Sequence, residues 1–138
     1  MTDVDLIEKK LAFIETCVRQ LHDLGQPERI PVDVREERFA AHTLQIAIQA
    51  AQDIASHIVS EDRLGEPETN RALFDLLCGN GWLDSELSVV MQRMIGFRNI
   101  VVHGYQHLNP TLLQDLVVHR LDDLLAFTSA IRSRLRDS

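Results

Sequence analysis

Apolar residues in this chain recur at the spacing of helices, and nowhere with the sustained alternation of a strand. From Val4 to about Leu24, the positions Ile7, Leu11, Ile14, Val18 and Leu21 step by four and three and so share one helical face. Gly25 followed by Pro27 predicts a stop, with Gly25 as a left-handed C-cap. Asp33 with Glu36 predicts a capping-box start for a second, long helix. Its apolar face runs through Phe39, Thr43, Ile46, Ala50 and Ile54 to about Val59. Ala40, Ala41, Ala47, Ala51 and Ala55 keep that helix smooth, so a neighbour can approach closely.

The polar stretch from Ser60 to Glu68 holds Gly65 and Pro67 and predicts a loop. A short helix is expected over Thr69 to Leu77, ended by Gly79-Asn80-Gly81. Asp84 or Ser85 predicts the cap of a fourth helix carrying Leu87, Val90, Met91, Met94, Ile95, Phe97, Val101 and Val102, with Gly104 at its end. Asn109 and Pro110 open a last helix, where the missing proline N–H costs nothing. Its period continues through Leu112, Leu116, His119 or Arg120, Leu124, Phe127 and Ile131 to Leu135. Long amphipathic helices with short connections imply an all-α, antiparallel bundle of four to five helices. With no repeat or low-complexity tract, the expectation is one domain over 1–138.

Composition agrees with helices: aromatic residues are 5% of the chain, with six glycines and four prolines. Cys17 and Cys78 lie far apart and form no CxxC pair, so they predict buried free thiols rather than a zinc or redox motif. The start, MTDVDLIEKK, has acids and no apolar core, unlike a signal peptide, and no run is long enough to span a bilayer. The expected compartment is the cytoplasm, with no membrane association.

The net charge of −7 opposes a nucleic-acid partner, since phosphate binding needs a basic footprint. The acids are unevenly placed, however. None of the 21 Asp and Glu residues falls between Leu87 and Gln114, a window that holds Arg93, Arg98, His103 and His107. Arg132, Arg134 and Arg136 predict a solvated last turn that complements the helix dipole.

Within the acid-free window lies Arg98-Asn99-x3-His103-x-Tyr105. RNA cleavage without a metal needs a group to take the ribose 2′-hydroxyl proton, a group to protonate the leaving 5′-oxygen and a cation for the phosphate charge. Histidine suits the proton transfers near neutral pH, and the arginine fork suits the phosphate. Asn99 and His103, four apart, share a helix face, so the Asn amide can hold the imidazole or a substrate oxygen. Arg98 and His103 are five apart, about 140° around a straight helix, so Arg98 must wrap, the helix must unwind, or a second protomer must complete the site. One such histidine per chain, against two proton transfers, also favours a symmetric dimer.

Asp53 and His57 share a face of the second helix. The residues leave open whether Asp53 positions Arg98 by an ion pair or whether the two are a surface pair. His103 and His107 have metal-like spacing, but Gly104 should break the helix between them and no acid converges, so no metal and no cofactor is expected. His22, His42 and His119 predict ordinary histidines.

Gly96 to Tyr105, GFRNIVVHGY, resembles the RNxxxHxY signature of HepT proteins in the HEPN superfamily. Glu37-Arg38, Leu44 to Ile48 and Asp53 to Ile58 resemble the family's second helix, and Phe74 to Leu77 and Met94-Ile95 fit as well, so the likeness covers Glu36 to Leu116. Gln49 departs from it, standing where an acid is expected in many relatives. The resemblance implies the toxin of a toxin–antitoxin pair, a homodimeric, metal-independent endoribonuclease acting on RNA such as tRNA or mRNA. Arg98 and His103 would carry catalysis. The implied partner is MntA, a minimal nucleotidyltransferase antitoxin that silences the toxin by AMPylation of the motif tyrosine, here Tyr105. Placed just past Gly104, that phenol is expected to be exposed, and AMP on it to pair with Arg98. The alternatives are a non-catalytic nucleotide-binding module that regulates its nucleotidyltransferase partner, or a structural dimerisation domain.

Overall fold

The computed structural model describes residues 3–137; Met1, Thr2 and Ser138, which include the first two residues of the acidic start, lie outside the described residues. Six α-helices follow in order: α1 (Val4–Leu24), α2 (Val34–Glu61), α3 (Ala72–Gly79), α4 (Ser85–His103), α5 (Pro110–His119) and α6 (Leu121–Arg136). Single 3-10 turns lie at Pro27–Arg29 and Tyr105–His107, and no strand occurs among the described residues.

α2 is the centre. It packs against α1, α3, α4 and α5, while α6 closes on α1 and α4. Its small residues explain this position. Ala40, Ala41, Ala47, Ala51 and Ala55 are all buried, so neighbouring backbones can lie against more than one side of it. Ile7, Leu11, Ile14, Val18 and Leu21 bury the face of α1 that the periodicity marks. Phe74 of α3 meets Phe127 of α6 edge to face, ring centres 6.1 Å apart, a favourable aromatic geometry. The buried Ser88 hydroxyl donates to the Phe74 carbonyl oxygen at 3.0 Å and fastens α4 to α3.

Several helix ends follow their caps. Asp3, Asp33, Asp84 and Asn109 each accept from backbone N–H groups in the first turn of the helix that follows. Others differ from the sequence expectation. Gly25 is extended, with φ −74°, not left-handed; glycine fits there because a Cβ would collide with the Leu21 carbonyl oxygen. Glu36 does not complete a capping box. Its carboxylate accepts from the Gln26 N–H at 2.6 Å and so ties the α1–α2 connection to α2.

α3 starts later than expected, because Thr69 spends its hydroxyl and carbonyl oxygens on the Ala72 N–H in a turn. The last expected helix is two, which makes six helices among the described residues where four to five were expected. Arg120 leaves helical geometry at φ −119° and ψ 2°. Asp122 and Asp123 then occupy the first turn of a new helix, where negative charge is favoured. Leu113 and Val117 are buried in α5, while Leu112 is exposed. Adjacent apolar pairs, Leu112-Leu113 and Leu116-Val117, hid that shift of one residue.

Arg132 is not a solvated tail residue. It binds Glu15 through two nitrogens, at 2.7 and 2.8 Å, and Glu8 at 3.1 Å, joining α6 to α1. This raises the Arg132 pKa, and the Arg132 hydrogen bond holds the Glu15 carboxyl below its ordinary value. Arg134 lies over the Trp82 ring at 5.1 Å. Cys17 is buried, whereas Cys78 is only partly so.

Candidate active site

Arg98, Asn99 and His103 occupy the last turns of α4, whose end is set by the Gly104 N–H donating to the Ile100 carbonyl oxygen at 2.8 Å. Arg98 is half-buried and held at two points. Its Nε donates to Gln49 Oε1 on α2, and its Nη1 to Asn99 Oδ1, both at 2.8 Å. Its Nη2 donates to no described residue. The guanidinium is therefore fixed in orientation while it keeps donors for an anion.

Gln49 is the functional candidate that the sequence reading noted only as a departure. Its carboxamide accepts from Arg98 and donates through Nε2 to Asp53 Oδ1 at 2.9 Å. Asp53 Oδ2 also lies 3.7 Å from Lys10 Nζ of α1. Of the two readings left open for Asp53, a direct ion pair with Arg98 is absent, and Gln49 stands between them. The signal for it was available: Gln49 and Asp53 are four apart on one helix face. His57 stays outside this chain of contacts. Its Nε2 accepts from the Asp3 N–H at 3.2 Å, at the start of α1.

His103 is exposed. With Asn99, Ile100, Gly104 and His107 it lines a shallow depression of about 300 Å³. The α4 geometry brings Asn99 and His103 to this one opening as the spacing predicts. Asn99 directs its Oδ1 to Arg98, so Asn99 links the arginine to the histidine's side of the helix. Arg98 itself does not border that depression, so the Asn99 contact is its link to the histidine's opening. His103 and His107 border the same depression across Gly104, but no group of three His, Cys, Asp or Glu among the described residues is placed to hold a metal ion.

Tyr105 begins the 3-10 turn after Gly104 and is half-buried, not presented freely. Its hydroxyl donates to Glu37 Oε1 on α2 at 3.0 Å, and the Arg38 guanidinium lies 5.3 Å from its ring centre. Burial first, and then the Glu37 carboxylate, push the phenol pKa up. Gly104 takes φ −156°, open to any residue, so glycine freedom is not what positions the tyrosine. The cation beside Tyr105 in this arrangement is Arg38, and His42 and Gln45 border the same hollow.

The chain matches the family described as Ribonuclease HepT-like over residues 7–131. It is 33% identical over 130 residues to the mRNA nuclease HepT of Shewanella oneidensis, covering 94% of this chain and 98% of that protein. It is 29% identical over 142 residues to the tRNA nuclease HepT of Aphanizomenon flos-aquae, covering 98% and 95% of the two chains. A solved structure of a tri-AMPylated Shewanella oneidensis HEPN toxin in complex with MNT antitoxin is 33% identical and superposes with a TM-score of 0.87, over 96% of this chain and 99% of that one.

Proposed function

This chain belongs to the HepT-like ribonuclease family and is a ribonuclease, and on that premise we propose that it is the toxin of a toxin–antitoxin pair that cuts RNA endonucleolytically without a metal ion. The observation that carries this reading is that Asn99, which with Gln49 fixes Arg98, borders the depression that His103 lines.

In this mechanism Arg98 and His103 are the catalytic residues. One imidazole takes the proton from a ribose 2′-hydroxyl, and the oxygen attacks the adjacent phosphorus. The bond from phosphorus to the 5′-oxygen breaks as the bond to the 2′-oxygen forms, and a second imidazole protonates the departing oxygen. The remaining Arg98 donors bind the phosphate oxygens as charge gathers there. Asn99 positions Arg98 and the substrate. Each chain offers one such histidine, so a two-fold homodimer that joins two His103 depressions supplies both proton transfers. The single domain acts in the cytoplasm, on RNA such as tRNA or mRNA.

Control runs through Tyr105. A cognate MntA-type nucleotidyltransferase adds AMP to the phenol, which must first leave Glu37. The added phosphate is anionic and finds Arg38 beside the ring, and the bulk of the nucleotide obstructs RNA at the adjoining end of α4. The complex of a tri-AMPylated relative with its MNT antitoxin supports this reading.

The test is RNA cleavage by the purified chain in excess EDTA. The wild type should cut and His103→Ala should not. Equal cleavage by the two proteins, or cleavage only after a divalent metal is restored, would overturn the proposal.

A further inference from the structure

A second cleft, of about 460 Å³, opens along α4 beside the His103 depression, and Ile100 borders both. Three arginines from separate parts of the chain border it: Arg71 ahead of α3, Arg93 on α4 and Arg120 at the α5–α6 break. The chain carries a net charge of −7, yet three arginines and one acid border this cleft. Arg71 and Arg93 are exposed, and neither pairs with a carboxylate among the described residues. Gly96 makes room for this: the Arg71 guanidinium lies where a Cβ at position 96 would stand. Arg120 is partly engaged, 3.7 Å from Asp123, and Asp115 is the one acid on the border of the cleft. Charge in the cleft therefore remains positive, and Arg71 and Arg93 carry it.

We propose that this cleft is a subsite for RNA, in which Arg71 and Arg93 bind backbone phosphates next to the one being cleaved. The inference rests on the ribonuclease reading above and extends it from the reacting phosphate to its neighbours. Two features favour a nucleic acid over an acidic protein surface. The cleft adjoins the His103 depression at Ile100, and Arg93 lies about 15 Å from His103 by helix rise, so one extended strand can reach both. Its border also includes the apolar Ile100 and Leu112, both exposed, against which unstacked bases can lie while the arginines hold the strand. The acid-free window of the sequence then has a physical purpose, keeping carboxylates off the path of the backbone between Arg93 and His107.

The test measures binding, so that cleavage does not obscure it. Fluorescence anisotropy with a labelled single-stranded oligoribonucleotide compares the full-length His103→Ala protein with the same protein carrying Arg71→Gln and Arg93→Gln. Loss of two phosphate contacts should flatten the slope of log affinity against log salt by about 1.4, from about 0.7 per contact on a single strand. The same slope makes the affinity loss about 25-fold at 0.1 M salt, closing as salt approaches 1 M. Both arginines are exposed, so an unchanged melting temperature should accompany the loss. Equal affinity and equal slope in the two proteins would overturn the subsite and leave the ribonuclease reading standing. Equal RNA affinity with weakened binding of the nucleotidyltransferase would overturn it in favour of a protein-docking role. Absence of RNA binding by either protein would count against both readings.

Discussion

Arg98 and Gln49 meet across the α2–α4 interface, Nε donating to Oε1 at 2.8 Å, and this contact passes the orientation of Asp53 on to the arginine. A carboxamide can do this because it accepts at one end and donates at the other. Removing it should misplace the guanidinium without disturbing the apolar core. We expect Gln49→Leu to lower kcat by roughly 100-fold with little change in KM or melting temperature, as a misplacement of about 1 Å can do. Gln49→Glu keeps an acceptor for Arg98 but loses the donor to Asp53 and sets a carboxylate oxygen against it, so its kcat should fall between the wild type and the leucine variant. Wild-type kcat in the leucine variant would show that the arginine needs no such support.

Arg98→Lys separates charge from geometry. Lysine keeps the positive charge but has no planar fork, so it can neither bridge Gln49 and Asn99 nor grip a phosphate at two points. Activity should fall by about 100-fold or more, comparable to loss of a transition-state donor. Near wild-type cleavage would reduce Arg98 to a generic positive charge.

Tyr105 is the only tyrosine in the chain, so its ionisation can be followed by ultraviolet absorbance. It should titrate above its ordinary value of 10, with burial as the first cause and Glu37 as the second. Because the folded pKa is raised, the associated stability is present below pH 10 and is lost as pH rises through the folded value. Glu37→Gln should lower the phenol pKa yet leave it above ordinary. Tyr105→Phe should still cut RNA and should accept no AMP. Titration at the ordinary value in the wild type would contradict the half-buried, Glu37-bound phenol.

Periodicity and caps located most of the frame, because the pattern of Ile7 to Leu21 and the caps at Asp33, Asp84 and Asn109 are local signals. The break at Arg120 was hidden because apolar spacing continues across it from Val117 to Leu121. The same limit applies at the site. Asn99 and His103 share an opening because they are four apart on α4, which spacing alone conveys. The Gln49–Arg98 and Glu37–Tyr105 contacts join residues far apart in sequence, and only the packing of α2 against α4 and its following turn reveals them. The Glu8–Arg132–Glu15 cluster was missed for the same reason, since its partners stand at opposite ends of the chain.

That cluster should show in the pH dependence of stability. Its side chains are partly exposed, so solvent screening limits Arg132→Ala to a cost of about 1 kcal/mol near neutral pH. The Glu15 pKa is lowered from 4.5 in the fold. Its contribution is therefore present above pH 4.5 and fades as pH falls through the lowered folded value. Thermal melts of wild type and variant should differ near neutrality and converge in acid. A gap that persists well below pH 4.5 would mean that Arg132 acts through packing and not through Glu15.

The ends of the RNA fragments test the chemistry most directly. Attack by the 2′-hydroxyl, with His103 moving protons and Arg98 holding the phosphate, leaves a 2′,3′-cyclic phosphate on one fragment and a 5′-hydroxyl on the other. Mass spectrometry of products made by the purified wild type in EDTA should find that pair of ends, and none from His103→Ala. Fragments with a 3′-hydroxyl and a 5′-phosphate would mean that water, not the ribose, attacks the phosphorus, and would contradict the account.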